Sequence, residues 1–194
     1  MRKTLIVGGT LPRIRFRPVA EMSPEQRAAY DEAAAGPRGH APAPMAAWIL
    51  NAEFSRRAQK FGEYVRFHLS LPSNLRELAV LVVARYWVAH HEWRIHKKEE
   101  VKHGVSSEIV EAIASQRNPE FASEAERVVY DIANSVLKTR QVPADLYERG
   151  VQALGEQELA ELVGVIGYYT FVSITLLTFE IGLPESLQPE ILNP

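Results

Sequence analysis

The chain has 194 residues, of which 46% are hydrophobic, so it is long enough to bury a core of its own. It contains no cysteine, which excludes disulfide bonds, thiolate metal ligands and thiol nucleophiles. Its 22 basic and 24 acidic residues give a formal charge of -2, so no strong field attracts nucleic acid or an anionic membrane. The apolar run before Gly8–Gly9 is too short for a signal peptide, and we expect a cytoplasmic protein.

The N-terminal part of the sequence predicts an arm followed by a capped helix. Residues 1–22 carry arginines that alternate between two prolines, a pattern typical of an extended segment on the surface. A helix is predicted after Ser23, because Ser23 is a natural N-cap, Pro24 needs no N–H there, and Gln26 completes a capping box. This helix is predicted to end before Gly36–Pro37.

The middle of the chain predicts the most strongly apolar helix. Apolar residues at helical spacing indicate one or two helices before the break at Leu71–Pro72. Asn74 and Glu77 then stand at capping-box spacing and predict the start of an apolar helix that runs through Arg85. The helix after it is predicted to stop at Gly104, which suits a left-handed C-terminal cap.

The C-terminal part shows the same kind of local signals. A short helix is predicted up to Asn118–Pro119, Ser123 and Glu126 form a second capping box, and Pro143 opens a further helix. The segment Leu162–Phe179 carries no formal charge and approaches the length that spans a bilayer. Because glycine, serine and threonine dilute its hydrophobicity, we expect a buried core or subunit-interface helix and no membrane association.

A weak internal repeat relates Arg76–Ala79 to Gln157–Ala160. In this register Glu92 falls opposite Ser173, and His96 falls opposite an apolar residue, so only the first copy keeps ionisable groups at these places. The sequence therefore predicts one helical domain with two weakly similar halves, of which the first bears the site. The domain covers residues 1–194, the site-bearing half residues 45–117 and the degenerate half residues 122–183.

Glutamate and histidine are concentrated in one stretch, since half of the six histidines stand between Arg85 and His96. Glu92 and His96 are four residues apart and share a face of a helix, and His91 joins them only if that helix begins near it. A carboxylate beside an imidazole favours the imidazolium and fixes its tautomer, as proton transfer requires. Glu77 joins the group if its own helix folds back.

Each of these residues also has a purely structural interpretation. Glu77 is equally explained as the capping-box partner of Asn74. Glu92 and His96 also fit an exposed pair on a charged helix face, and Trp93 is typical of core packing.

The spacing of Glu92, His96, Glu99 and His103 suggests a metal site. The zinc-protease motif needs two histidines four residues apart, however, and His91 and His96 are five apart. A di-iron bundle would need Glu-x-x-His motifs on other helices, and the sequence has none there. We therefore predict no metal and no cofactor.

Beyond these residues, the sequence contains a wider pattern of short segments. They are Leu75–Ala79, Ala84–Arg85, Glu92–Trp93 with His96, Gly104–Val105 and Glu111–Ile113. The pattern closely resembles the carboxymuconolactone decarboxylase family, which includes the alkylhydroperoxidase D-like (AhpD-like) proteins. Segments Ser23–Arg27 and Glu161–Tyr169 resemble the longer members, so the resemblance covers nearly the whole chain.

The resemblance implies an all-α fold, the AhpD-like helical bundle, assembled as a homotrimer or homohexamer. The peroxidase branch uses a glutamate, a Cys-x-x-Cys pair and two histidines as a proton relay. On this sequence the glutamate falls on Glu77, the cysteines on Ala89 and Glu92, and the histidines on His91 and His96. Both sulfurs are absent, so thiol peroxidase activity is excluded while the proton-handling groups are retained.

The resemblance further implies a cofactor-free decarboxylase, or a related lyase or isomerase, that acts on a small carboxylated lactone or aromatic-derived ring acid. The expected catalytic residues are Glu77, His91, Glu92 and His96. The expected substrate-binding residues are Arg85 or Arg66 for the carboxylate, with Tyr86 and Trp93. Two alternatives stay open: a non-catalytic oligomeric binder of small molecules, and a metal-dependent oxygen or peroxide enzyme.

Overall fold

The computed structural model describes residues 5–6, 12–184 and 187–191. It describes the side chains of all of these except residues 5–6, 99–103 and 184. These residues are helical apart from one short antiparallel ladder and the connecting loops, so the predicted all-α class is confirmed. The α-helices are α1 (Pro24–Ala35), α2 (Met45–Trp48), α3 (Ala52–Phe67), α4 (Ser73–Tyr86), α5 (His90–His103), α6 (Ser107–Ala114), α7 (Glu124–Thr139), α8 (Ala144–Leu154) and α9 (Glu156–Thr178). Strand β1 (Leu5–Ile6) pairs with strand β2 (Leu183–Pro184).

The predicted N-terminal arm is only partly described, because residues 1–4 and 7–11 lie outside the described residues. Residues 12–18 have no helix or strand, as expected, but residues Val19–Glu21 form a single 3-10 turn. The pairing of β1 with β2 was not predicted, since two residues carry no periodic signal.

Most of the predicted helix ends are confirmed. Ser23 and Ser123 both cap their helices, and each forms a complete capping box with the residue three positions later. Gly104 has a φ of +86°, the left-handed conformation that ends α5. The prediction for Asn74 and Glu77 is wrong: α4 begins at Ser73, after Pro72, and no side chain caps it.

The start of α6 offers a direct test of capping. The Ser106 side chain accepts a hydrogen bond from the Ile109 N–H at 3.3 Å, whereas the neighbouring Ser107 stands one position later, inside the helix. We expect Ser106→Ala to lower the free energy of unfolding by about 1 kcal/mol, measured by urea denaturation. Ser107→Ala is the matched control and should change it by less than about 0.5 kcal/mol. Equal losses for the two variants would contradict the assignment of the cap.

The chain divides into two compact units. Of the described residues, the first unit comprises 5–6, 12–68, 174–184 and 187, and the second comprises 69–173 and 188–191. In the first unit α1 and α2 both pack on α3, around a core of Ala29, Ala33, Met45 and Ile49. The predicted halves 45–117 and 122–183 follow sequence similarity rather than compactness, and they stay a prediction.

In the second unit α4 is the central helix. All its residues from Leu75 to Arg85 are buried, and it packs against α5, α6 and α7. After Tyr86 the chain turns sharply, with Val88 in the left-handed conformation (φ 51°) and the Ala89 N–H donating to the Ala84 carbonyl at 2.8 Å. A β-branched residue rarely adopts this conformation, so the turn that joins α4 to α5 is strained.

Helix α9 is long and apolar enough to cross a membrane by length and composition. More than half of its most apolar stretch, 56%, is buried within the protein itself. Because the core helix of a soluble protein passes the same test, this is weak evidence for a span.

Candidate acid–base site

A buried ionic network joins α4 to α5 in the second unit. Glu77 on α4 lies against His96 on α5, with 2.6 Å between Glu77 Oε2 and His96 Nδ1. The other imidazole nitrogen, Nε2, is 3.5 Å from Glu92 Oε2, one turn earlier on α5. Arg76 completes the network, since its Nε is 3.5 Å from Glu77 Oε1. The imidazole therefore stands between two carboxylates, one of which also faces a guanidinium.

The network is closed off from solvent. His96 is 1% exposed, Glu77 2%, Glu92 6% and Arg76 8%. Charges are expensive to bury unless they are paired. With His96 protonated, the imidazolium and the Arg76 guanidinium offset the charges of the two carboxylates. The exposed-pair interpretation of Glu92 and His96 is wrong, and so is the interpretation of Glu77 as a helix cap.

The surroundings of His96 favour its protonated, charged form. Burial alone would lower the pKa of His96, but the charge and hydrogen bond of Glu77, and those of Glu92, outweigh it and raise the pKa. With Glu77 ionised, the carboxylate can only accept, so His96 Nδ1–H is the donor. The contact to Glu92 is longer than an ordinary hydrogen bond, and we treat it as an ion pair. The proton on His96 Nε2 is thus held less tightly than the proton on Nδ1.

The raised pKa predicts how stability depends on pH. The folded state binds the His96 proton more tightly than the unfolded chain, so this stabilisation is present below about pH 6.5 and is lost as pH rises through the folded pKa. Urea denaturation between about pH 6 and pH 9 should show a free energy of unfolding that falls with pH, by at most about 1.4 kcal/mol per pH unit. His96→Gln should remove that slope. Parallel curves for the two proteins would contradict the raised pKa.

Tyr169 of α9 belongs to the site and was not predicted. Its ring stands edge-on to the His96 imidazole, with 4.8 Å between centroids and an interplanar angle of 86°. Both rings are buried. No local pattern links residues 96 and 169, because the contact depends on how α9 packs on α5. Tyr169 limits the orientations that the imidazole can take between its two carboxylates.

The remaining predicted site residues lie elsewhere. His91 is in the first turn of α5 and partly exposed. Arg85 is buried, and its Nε donates to the Ala114 carbonyl at 3.0 Å, so it ties the end of α4 to the end of α6. Arg85 stands eight positions after Glu77 on α4, about 12 Å along the helix axis. Burial lowers the pKa of Arg85.

The two predicted aromatic site residues and Arg66 differ in exposure and in location. Tyr86 is exposed at the end of α4, with its ring edge-on to Trp87. Trp93 is fully buried on α5, between Glu92 and His96 in sequence. Arg66 is on α3 in the first unit, with its guanidinium carbon 5.6 Å from the centroid of the Phe67 ring. The catalytic and substrate-binding roles of all these residues stay predictions.

The described part of the chain contains no group of three or more histidine, aspartate or glutamate residues arranged to hold a metal ion. The spacing of four residues suggested such a site. Two of the four, Glu99 and His103, lie outside the residues whose side chains are described.

Known proteins with this fold come from structural comparison, since no family model and no curated protein matches the sequence. One similar structure is a protein of unknown function from Agrobacterium tumefaciens, whose description suggests an antioxidant defence protein AhpD. It matches with a TM-score of 0.62 and 18% identity over 70% of this chain and 93% of the other. Another is an uncharacterized peroxidase-related protein from Silicibacter sp. TM1040, with a TM-score of 0.71 and 12% identity over 95% and 94% of the two chains.

These likenesses show the fold. The chain has the AhpD-like helical fold, over almost its whole length in the second comparison, and the predicted fold class is confirmed. The fold is shared at only 18% and 12% sequence identity. It is present here in a chain without cysteine.

Proposed function

We propose that this protein is a cofactor-free acid–base enzyme, a decarboxylase or a related lyase or isomerase that acts on a small carboxylated lactone or aromatic-derived ring acid. The observation that carries the proposal is the buried His96 imidazole between the carboxylates of Glu77 and Glu92. Such an arrangement stores a proton that can be transferred at neutral pH.

The reaction would follow from this geometry. Loss of CO₂ from a carboxylated lactone leaves the bonding electron pair on the ring as a dienolate, and the ring carbon then needs a proton. His96 supplies it from the loosely held Nε2 side, next to Glu92, while Glu77 fixes the imidazole through Nδ1. Arg85 is the proposed partner of a second substrate carboxylate. The balance is one carboxylate and one proton consumed, and one CO₂ released.

The names of the structural relatives point toward peroxide chemistry, and the composition argues against a thiol mechanism here. Without cysteine the chain cannot form the sulfenate or the disulfide of a thiol peroxidase. We therefore propose proton transfer rather than redox chemistry for Glu77, Glu92 and His96. A homotrimer or homohexamer is proposed on the family resemblance alone, and the cytoplasmic location stays a prediction from the sequence.

A second candidate function is an oligomeric small-molecule binder in which the network is structural. The complete burial of His96 and its pairing with two carboxylates favour it, because both are expected of ion pairs that only hold α4 and α5 together.

A turnover screen distinguishes the enzyme from the binder. The purified protein is incubated in deuterated water with muconolactone-type and aromatic carboxylic acids, and released CO₂ and deuterium incorporation are measured together. The enzyme proposal expects solvent deuterium to enter the product and, for a decarboxylase, one CO₂ released for each substrate molecule consumed. Binding detected by a rise in melting temperature, without CO₂ or deuterium exchange for any bound compound, would favour the binder.

A further inference from the structure

We infer that the outward face of α3 pairs with the same face of a second copy of the chain, antiparallel and around a twofold axis. The face consists of Phe54, Arg57, Phe61 and Tyr64, and we call it the aromatic face. The inference is independent of the proposed acid–base chemistry. Of the two proposed assemblies it selects the homohexamer, because twofold contacts can join two trimers and a single trimer has none.

Helix α3 turns small and polar residues inward and aromatic residues outward. Its buried positions include a single large apolar residue and are Ser55, Gln59, Gly62 and Val65. Its aromatic residues are exposed by 40% to 54% and are Phe54, Phe61, Tyr64 and Phe67. A surface helix normally has the reverse arrangement, with its apolar stripe on the core and its polar residues in water. The inversion indicates that another surface covers the aromatic residues in the assembled protein.

The partner on the inward side explains why the aromatic residues cannot lie there. Helix α1 packs on α3, and the residues that α1 buries are Ala29 and Ala33. The distance between packed helices depends on the side chains at the contact, so short side chains on both helices allow a close approach. A close approach leaves no room for aromatic rings between α1 and α3. The aromatic residues of α3 are therefore available to a different surface.

The spacing of the aromatic face is that of a helix-pairing seam. Phe54, Arg57, Phe61 and Tyr64 follow one another at intervals of three, four and three residues. Such intervals keep side chains on one side of a helix, and apolar residues repeated in this way pack into a second helix. Because all four residues belong to one helix of the first unit, their common face follows from the helix itself.

The exposed area is sufficient for a stable contact between two copies. A large aromatic side chain offers about 200 Å², so four that are about half exposed leave roughly 400 Å². An isologous contact buries this area on both copies, which gives roughly 800 Å² from the aromatic rings alone. Leu50, which is 55% exposed just before α3, and the Arg57 side chain add to it. The contact then reaches the size of a specific interface, which begins at about 1,000 to 1,200 Å².

Arg57 favours the same face of a second copy as the partner, in the antiparallel direction. Its side chain is 81% exposed, although it pairs with Glu53 one turn earlier. Parallel pairing would place the two Arg57 guanidinium groups against each other. Antiparallel pairing centred on Gln59 places Arg57 of each copy opposite Phe61 of the other, and Phe54 opposite Tyr64. A guanidinium stacks favourably on an aromatic ring, so the face is complementary to itself.

The first test measures the molar mass of the full chain in solution by size-exclusion chromatography with light scattering. We expect six copies for the original protein and three for Phe61→Glu, because pairing would bury a carboxylate at the centre of the face. Tyr147→Glu is the matched control and should retain six copies. Tyr147 is 52% exposed, close to the 51% of Phe61, but it lies on α8 in the second unit.

The outcomes of this test separate the inference from the proposed function. A monomer or a trimer for the original protein, an unchanged mass for Phe61→Glu, or an equal loss in Tyr147→Glu would overturn the inference and leave the acid–base chemistry untouched. A dimer that Phe61→Glu converts to monomers would support the inference and refute the proposed hexamer. A monomer that cosediments with phosphatidylcholine vesicles would assign the face to a lipid surface and overturn the inference.

The absence of cysteine allows a second test that leaves the aromatic residues in place. Lys60 is next to the centre of the proposed pair, and its side chain is 62% exposed. In the antiparallel pair the two Lys60 positions lie close to the twofold axis, so Lys60→Cys chains should be linked in pairs by a short bismaleimide. Tyr147→Cys is the control and should not be linked. A denaturing gel gives the result, and equal linking of the two variants, or none in Lys60→Cys, would contradict the antiparallel pairing.

Discussion

Replacing Glu77 with alanine is expected to lower the free energy of unfolding by about 3 to 5 kcal/mol. The change removes the closest partner of His96, 2.6 Å away, and leaves the Arg76 guanidinium without its carboxylate. Both cations stay in a region from which water is excluded. Urea denaturation at pH 7, read by circular dichroism, gives the loss directly.

The matched control is Glu53→Ala on α3. Glu53 pairs with Arg56 and Arg57, but all three side chains are on the surface or close to it. Exposed ion pairs contribute little, so we expect a change below about 1 kcal/mol. If the two glutamate variants lost equal stability, the Glu77 pair would not be a buried ionic interaction.

A double variant separates charge from packing. Replacing both Glu77 and His96 with leucine removes the pair together, and apolar residues of similar size often restore much of what a single deletion loses. We expect Glu77→Leu with His96→Leu to be more stable than Glu77→Ala. The double variant should also have no proton-transfer activity.

Replacing His96 with glutamine is expected to lower kcat for a substrate found in the screen by a factor on the order of 100 to 10,000. Glutamine retains a hydrogen-bond donor of similar reach but has no proton to transfer near neutral pH. KM should change far less, because the ground-state contacts are retained. Steady-state kinetics of CO₂ release measure both constants.

Lys97→Gln is the control for this prediction. Lys97 follows His96 on α5, but its ammonium group is partly exposed and bonds Glu190 at 2.7 Å. We expect unchanged kcat from this variant. Turnover by His96→Gln at the rate of the original protein would show that the acid–base assignment is wrong, whereas losses shared by both variants would indicate a structural effect on α5.

Short-range features of the fold could be predicted from the sequence. The capping boxes at Ser23 and Ser123 depend on residues three positions apart, and both are present. The pairing of Glu92 with His96 follows from their separation along one helix. The same local rule failed at Asn74 and Glu77, because burial of α4 directs Glu77 to the interior and to a partner on another helix.

Long-range features could not be predicted in this way. The contact of Tyr169 with His96 joins residues whose proximity is set by packing between α5 and α9. Arg85 looked suited to bind a carboxylate, yet its visible bond is to the end of α6, because carbonyl groups at a helix end need donors. The family resemblance placed Glu77 and His96 in one site before any geometry was known, and it carried no information about Arg76.

The strained turn at Val88 has a consequence for how this site tolerates changes in chain length. Residues 87–89 alone connect α4 to α5, and the angular phase of α5 about its own axis is fixed by their number and by the left-handed Val88. One residue added there would rotate α5 by about 100° and carry the imidazole away from the Glu77 carboxylate. Insertions and deletions in this loop should therefore be as damaging as substitutions of His96 itself.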